Sequence, residues 1–578
     1  MVVEDIEEIE RKYFVDYDIS DIPDMLCTYY ENKEFELVYY LSERYRTDFF
    51  QCEFYLMMSM MELGLYKRAY KCYKKHEGDW FQSFKQFNIY WKHAAIYSLY
   101  FKDMEISDYY WDIFNEYFES KIVQVVELIY DGMSESIQNT ELFKNLSKDY
   151  PLLNKVWDRG SQKELQGLSV KSEKWQYYTD YNFQISDGDE YGIELVYMEN
   201  DLEIYSYKPK NVAASMHILR DKDCTIILDC GSEMSQGRVM NIPVRSILNR
   251  LNIQHVDFAL VSHAHLDHYG SLSELKKTKV FMTEETGRII KCVTNDVRFN
   301  NIQFVEAYSY LEFDDIWIQF IPNGHILGSV LFDINWKDKK RIIYTGDFSL
   351  SDQCTVRGLD LKDITKNKTK VDVLLMETTY GDKTDMLTLE SYEKIFISLC
   401  EKYLKYGNKI FIPCFAVGRT QETAILLAET VRKGGYNIMI DGLSIKVTKL
   451  YKKIIDSKRD ILNGRVNSCN GIRDIDGKID NNDVILASSG MMQPGSTAAK
   501  YVERLLEREN VCIMKVGYIN ESQGMLNVIK NRQYDEIHFE DISLSAHAGY
   551  LELIETVETI NPDTVIYVHG RGIVMDEI

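Results

Sequence analysis

Proline is scarce in this chain, with 8 in 578 residues, and glycine is moderate at 31, so the composition leaves no room for a collagen-like or proline-rich architecture. The 11 cysteines are scattered between Cys27 and Cys512 and never form a CxxC pair, which removes both a thiolate zinc cluster and a disulfide-stapled secreted domain. They read as reduced, mostly buried thiols of a cytoplasmic protein. No apolar run approaches the ~20 residues of a membrane span. The first ten residues hold five carboxylates, where a secretory signal would carry basic residues and an unbroken apolar stretch. Neither a membrane role nor export is expected. Positive charge is also short, with 67 Lys and Arg against 90 Asp and Glu, and a net charge of −23 speaks against loose, charge-driven binding to nucleic acid.

What is present is the composition of a soluble globular chain, 45% apolar and 27% charged with a mean hydropathy of −0.30. At roughly 100–200 residues per domain, the length predicts three to five structural units. Charge divides them unevenly. Residues 1–200 carry 38 acidic and 21 basic groups, a net −17, whereas residues 201–578 carry 52 and 46, a net −6. Tyrosine is skewed in the same way, with 24 of 41 before residue 201.

Residues 1 to about 155 show helical periodicity, for example at Leu56, Met60 and Leu63, without strand alternation. We read them as all-helical. The stretch MELGLYKRAYKCYKK resembles the middle of a tetratricopeptide repeat, with Gly64 at the tight helix–helix turn and Tyr66, Ala69 and Tyr73 packing against the neighbouring helix; repeats and a generic helical bundle both remain open. The aromatic stripe is read as core filling between helices. Residues 156–192 are polar and aperiodic and read as a linker. Beyond them, short β-rich runs such as CTIILDCG, HVDFALVSH, KRIIYTG and KVDVLLME alternate with helical stretches, as in layered α/β architecture.

The densest chemical signal is His263-Ala264-His265-Leu266-Asp267-His268, directly after the apolar run at 256–261. In an extended strand end, His263 and His265 point the same way, and Asp267 and His268 return from the next turn. Four such side chains in six residues can serve two adjacent ions, and imidazole with carboxylate but no thiolate suits Zn²⁺ first and Mn²⁺ second. His325, Asp347 and His569 each close a β-run, in IQFIPNGH, RIIYTGD and TVIYVH. Any one of them alone would read as a capping polar residue; together with the His-rich hexapeptide they read as ligands.

These motifs resemble the metallo-β-lactamase-fold nucleases that carry a β-CASP insertion, a group that includes ribonuclease J and the endonucleases that cut pre-messenger RNA. The resemblance covers roughly residues 195–578. TIILDCG with Asp229, SHAHLDH, NGHILGS with His325 and YTGDFS with Asp347 match the four metallo-β-lactamase motifs. METTYGD with Glu377, LSAHAGY with His547 and VHG with His569 match the three β-CASP motifs, and IPCFAVGRTQE and ILASSGMMQPGSTAAKYVERLL match the signature stretches of the inserted domain.

The resemblance implies an α/β fold: a metallo-β-lactamase αββα sandwich at 193–395, an inserted β-CASP domain at 396–520 and a return segment at 521–578, preceded by the all-α, TPR-like region at 1–155. It implies two Zn²⁺ ions, one held by His263, His265, His325 and Asp347 and the other by Asp267, His268, Asp347 and His569. Asp229 would orient a ligand histidine, and His547, steadied by Glu377, would protonate the departing 3′ oxygen. Two ions about 3.5–4 Å apart activate a shared water and clamp phosphate oxygens.

Candidate substrate contacts are Arg419 in FAVGRTQE, Ser489 in ASSGMMQ and Ser545 in LSAHAGY. Lys446, Lys449, Lys452 and Lys453 read as a solvated face. A histidine at 569, where DNA-dedicated relatives carry an apolar residue, favours single-stranded RNA, and SAH in place of SGH favours endonucleolytic cutting. The tract after GY, INESQGML, and Ser273 in place of a frequent proline depart from the family pattern. The alternatives are a nuclease acting on single-stranded DNA, hydrolysis of a small ester or thioester, and a non-catalytic scaffold; the complete ligand set weighs against the last. The acidic first third is expected to bind a protein partner, since it would repel RNA.

Overall fold

The computed structural model describes residues 3–75, 176–179 and 192–573, apart from positions 17, 64, 66–67, 70, 73–74, 208–213, 236–237, 295–300, 367–368, 385, 456–465, 469–473, 494, 518–528, 530–536 and 571. The chain divides into two compact units, residues 1–172 and 173–577. Among the described residues no helix is long and apolar enough to cross a membrane.

In the first unit the helical spacing becomes the helices Val3–Phe14, Ile22–Glu31, Phe35–Tyr45 and Phe50–Glu62. The second has Pro23 in its first turn, where a missing N–H costs nothing. Phe14, Met25, Leu26, Val38, Leu41, Cys52 and Met58 are fully or nearly fully buried. Leu56 and Met60 of the predicted stripe are buried with them, and Leu63 is half-buried. Tyrosines enter this core with their hydroxyls satisfied: Tyr29 donates to Glu10 at 2.8 Å, and the Tyr13 and Tyr45 hydroxyls meet at 3.0 Å. Ala69 is buried, while Gly64, Tyr66 and Tyr73 of the repeat-like stretch lie outside the described residues.

The second unit is built on two seven-stranded sheets. One runs Gln176–Thr179, Thr564–Val568, Val373–Glu377, Lys340–Tyr344, Val330–Trp336, Ile316–Pro322, Tyr310–Phe313 in spatial order. The other runs Ile302–Phe304, Lys279–Met282, Phe258–Leu260, Thr225–Leu228, His217–Arg220, Leu202–Tyr207, Ile193–Glu199. Their inward residues, among them Ile226, Leu228, Leu260, Phe332, Val373, Leu375, Ile566 and Val568, form one core. The alternate residues of the first sheet, Ile343, Leu374, Met376, Val565 and Tyr567, pack outward against Leu553, Val557 and Ile560 of the helix Tyr550–Ile560. Burial on both faces explains why these strands read as unbroken apolar runs instead of alternating ones.

A third, six-stranded sheet is inserted between Val373–Glu377 and Thr564–Val568. It is parallel throughout, in the order Val466–Ser468, Ile438–Asp441, Val484–Ala487, Lys409–Pro413, Val511–Lys515, His538–Asp541. Two expected boundaries move. The inserted domain begins with the helix Leu389–Lys405 and continues through His538–Asp541, beyond the limits of 396 and 520, and the Tyr403 hydroxyl donates to Glu540 across it. The stretch read as a linker, 156–192, contains the edge strand Gln176–Thr179, which pairs in parallel with Thr564–Val568. Backbone pairing, which composition does not record, sets both.

Candidate metal centre

Most of the predicted site residues sit at or just past the C-terminal end of a strand; Asp267 and His268 lie in the short helix that follows one. Asp229 follows Thr225–Leu228, His263 lies three residues past Phe258–Leu260, and His325 three past Ile316–Pro322. Asp347 lies three past Lys340–Tyr344, Glu377 ends its own strand and His569 directly follows Thr564–Val568. Asp267 and His268 begin the short helix Leu266–Tyr269, and His547 lies in the loop between His538–Asp541 and Tyr550–Ile560. Within each of the two seven-stranded sheets the strands that carry these residues run in one direction, and the residues at their ends meet at one edge, where open α/β architectures place ligands. Asp229 and His569 both have φ +54°, in the left-handed region that side chains other than glycine seldom adopt. Such residues cost of order 1–3 kcal/mol and persist where surrounding contacts hold them, as they do here.

Asp347 is the hub. Its Oδ2 lies 3.5 Å from His263 Nε2, 3.3 Å from His268 Nε2, 3.7 Å from His325 Nε2 and 3.9 Å from His547 Nδ1, while its Oδ1 is 3.6 Å from His569 Nδ1. Three sets of side chains converge closely enough to hold a metal ion: His263, His265, His325 and Asp347; Asp267, His268 and His569; and Asp347, Glu377 and His547.

The outer nitrogens show which ring atoms face inward. His268 Nδ1 donates to Asp229 Oδ2 at 2.7 Å, His325 Nδ1 donates to the Ala546 carbonyl at 3.0 Å, and His263 Nδ1 meets the Ser262 hydroxyl at 3.0 Å. In the neutral form of each ring, Nε2 then carries the lone pair toward the cluster. His265 is turned over, with Nε2 3.4 Å from the Val417 carbonyl and Nδ1 facing inward, 3.0 Å from His325 Nε2. Two lone pairs facing each other at that distance repel, and a cation between them resolves the conflict. Moreover, His263 Nε2, His268 Nε2 and Asp347 Oδ1 are buried without a hydrogen-bond partner, a costly arrangement for polar atoms unless they bind an ion. The residues present therefore fit a divalent cation.

The electrostatics agree. Burial works against ionisation of Asp347, but His268, His569 and His547 outweigh it and hold the carboxyl well below its usual range. Asp267, similarly opposed by burial, is lowered to about 2 by His569 and His268. Burial and neighbouring histidines push His263 and His325 well below the ordinary imidazole value. For His268, burial is overcome by Asp347 and Asp229, and its value is raised; for His569, Asp347 and Asp267 raise it to about 9. The carboxylates thus draw positive charge into the pocket as protons, which metal binding displaces.

Asp229 works behind the ligands. Its carboxylate accepts from the Ser262 amide and hydroxyl, each at 2.7 Å, from His268, and from the Tyr344 hydroxyl at 2.6 Å. Tyr344 and Ser262 were not legible as site residues, because a strand tyrosine and a serine carry no signal until the fold closes. Glu377 is held by the Phe348 amide at 3.1 Å and the Thr379 hydroxyl at 2.6 Å, and it accepts from His547 Nδ1 at 2.9 Å. His547 is opposed by burial, yet Glu377 and Asp347 raise its pKa.

The three candidate substrate residues are placed differently. The Ser545 hydroxyl accepts from the His547 amide at 3.0 Å and so shapes the loop that carries this histidine. Ser489 is half-buried in the loop after Val484–Ala487. Arg419, 8% exposed, opens the helix Arg419–Gly434, with Nη2 3.4 Å from Gln353 Oε1; Gln353 in turn donates to the Gly324 and His325 carbonyls. Arg419 therefore supports a ligand loop from behind.

Comparison with known proteins adds a second line. Residues 210–289 match the metallo-beta-lactamase superfamily, and residues 536–576 match the Zn-dependent metallo-hydrolase RNA specificity domain. The chain is 28% identical over 393 residues to a probable RNase of Methanocaldococcus jannaschii, covering 60% of this chain and 88% of that protein. It is 26% identical to RNase aCSPSF2 of Saccharolobus solfataricus, over 62% and 77% of the two chains, and 25% identical to endoribonuclease ysh1 of Schizosaccharomyces pombe, over 62% and 53%. Two facing sheets with histidine and aspartate ligands at one edge define a metal-dependent hydrolase fold. The chain is thus similar, over its second unit, to metallo-β-lactamase-fold RNA endonucleases, and these matches support a metal-dependent RNA nuclease of the β-CASP kind.

Proposed function

We propose that this protein is a zinc-dependent endoribonuclease that cuts single-stranded RNA internally, leaving a 5′ phosphate and a 3′ hydroxyl. The observation that carries this reading is the placement of the His547–Glu377 pair beside Asp347, whose carboxylate faces His263 and His325 on one side and His268 and His569 on the other. His263, His265, His325 and Asp347 would hold one Zn²⁺, and Asp267, His268, Asp347 and His569 a second. When bound, the ions supply Lewis acidity and neutralise charge on the phosphate oxygens. Asp229 keeps His268 in the tautomer that ligates, with Tyr344 and Ser262 fixing the carboxylate. Glu377 Oε1 takes the Nδ1 proton of His547 in a hydrogen bond, which leaves Nε2 to carry the proton given to the departing 3′ oxygen. His547, with its side chain 21% exposed, is accessible from solvent. The relatives named for ribonuclease activity support RNA as the polymer. The acidic first third, net −17 over residues 1–200, is assigned to a protein partner, because like charge repels a phosphate backbone.

The test is incubation of zinc-loaded protein with end-labelled single-stranded RNA and DNA of the same sequence. RNA should be cut internally with 5′-phosphate products, and Asp267→Ala and His268→Ala should lower the rate by at least ~10³-fold while circular dichroism stays unchanged. Full activity in those variants, or cutting of DNA alone, would sink the proposal.

A further inference from the structure

Among the described residues, one hydroxyl touches both halves of the site. Thr379 Oγ1 lies 2.6 Å from Glu377 Oε2, 3.2 Å from His569 Nδ1 and 3.3 Å from His547 Nδ1. It has one proton to give. The shortest contact is to a carboxylate oxygen, which can only accept, so the proton goes to Glu377. The lone pairs of Oγ1 then face the two imidazoles. His547 Nδ1 has a nearer acceptor in Glu377 Oε1 at 2.9 Å. For His569 Nδ1 the hydroxyl is the nearest acceptor, since Asp347 Oδ1 is 3.6 Å away. An N–H at Nδ1 leaves the lone pair of His569 on Nε2, which lies 3.4 Å from Asp267 Oδ2, within the second ligand set.

We propose that Thr379 is a positioning residue that fixes His569 in its ligating tautomer and, through the same hydroxyl, holds the Glu377 carboxylate against His547. This rests on the reading of the site as a metal-dependent nuclease with His547 as the acid. It goes beyond that reading in giving one neutral side chain control of both the second metal position and the acid. The Thr379 amide adds a further tie, donating to Glu377 Oε2 at 3.2 Å, and this bond survives any change of side chain. Loss of the hydroxyl therefore removes the link to His569 and loosens Glu377 without releasing it. The methyl group has no part in the argument, so a serine should serve.

The experiment compares Thr379→Ser, Thr379→Val and Thr379→Ala in the full chain, by steady-state cleavage of single-stranded RNA and by zinc content and affinity, the latter from competition with a chromophoric chelator. Thr379→Ser should keep kcat within about threefold of the parent. Thr379→Val and Thr379→Ala should lose roughly 10–100-fold in kcat with KM little changed, and the more weakly held zinc should bind 10–100-fold less tightly, the range seen when a group behind a metal ligand is removed. Parental kcat and zinc affinity in either the valine or the alanine variant would overturn the proposal. So would a serine variant as impaired as the valine one, because packing of the methyl group would then be the cause. Should valine fail to fold, alanine and serine still decide the matter. An inactive parent protein that binds two zinc ions would count against the nuclease reading, and the zinc affinities of the three variants would still test the role of Thr379 toward His569.

Discussion

Asp347, with four histidine nitrogens between 3.3 and 3.9 Å of one carboxylate oxygen and a fifth 3.6 Å from the other, makes the protonation of its neighbours interdependent. His547 carries the consequence for pH. Burial lowers its pKa, but Glu377 and Asp347 overcome burial and raise it above the ordinary imidazole value. In the proposed function His547 must be protonated to act, so activity should persist below the raised value and fall as pH climbs through it. In Glu377→Gln the charge that favours the imidazolium is gone, and the alkaline limb of the kcat profile should move to lower pH. The His547→Ala variant should lose ~10²–10⁴-fold in kcat and have no such limb. An unmoved limb in Glu377→Gln would show that another group sets it. At this scale the candidate ligands are legible because HxHxDH is dense and each of the others ends an apolar run. Tyr344, Ser262 and Thr379 were not, because a hydroxyl that positions a ligand looks like any other hydroxyl until its partner, as many as 190 residues away, is brought within reach.

The strands of the first sheet explain both stability and accuracy. Val373, Leu375, Ile566 and Val568 face the core between the sheets, and Leu374, Met376, Val565 and Tyr567 face the covering helix, so ligands at the strand ends project from a support packed on both sides. Leu375→Ala, a cavity at a fully buried position two residues before Glu377, should cost about 2–5 kcal/mol in denaturant unfolding of this unit. The exposed Leu551→Ala, on the helix Tyr550–Ile560, should cost well under ~1 kcal/mol. Apolar runs made the central strands legible. The strands Gln176–Thr179 and His538–Asp541 were missed as parts of their sheets because an edge strand of four residues needs no apolar pattern; pairing with a neighbour defines it.

The candidate metal centre draws on distant parts of the second unit, since two of its histidines are oriented by segments far away in the chain. His265 Nε2 meets the Val417 carbonyl of the inserted domain, and His325 Nδ1 donates to the Ala546 carbonyl beyond that domain. Glu422 reinforces the join by accepting from the Cys354 and Thr355 amides. Gly418, next to Val417, has φ +82°, and a Cβ there would lie 2.6 Å from Ile326 Cγ2, beside His325. Gly418→Val should therefore reduce kcat at least about tenfold and weaken zinc binding by chelator competition, in line with losses on disturbing groups behind a ligand. Gly407, also at φ +82° but with open space around it, is the control: Gly407→Ala should cost about 1 kcal/mol of stability at unchanged kcat. Equal behaviour of the two variants would refute the coupling.

The sequence by itself determined the chemistry on offer. Seven ligand-type side chains, a layered α/β order and a charge of −17 on the first 200 residues are properties of local pattern and count, which need no third dimension; the pairing of His547 with Glu377 came from the family resemblance. Tertiary structure decided which nitrogen of each histidine faces inward, which hydroxyls fix them, that Arg419 supports a ligand loop from a buried position, and where the inserted domain begins and ends. Those outcomes depend on hydrogen bonds between residues as much as 302 apart in the chain, and only the closing of the sheets brings such partners together.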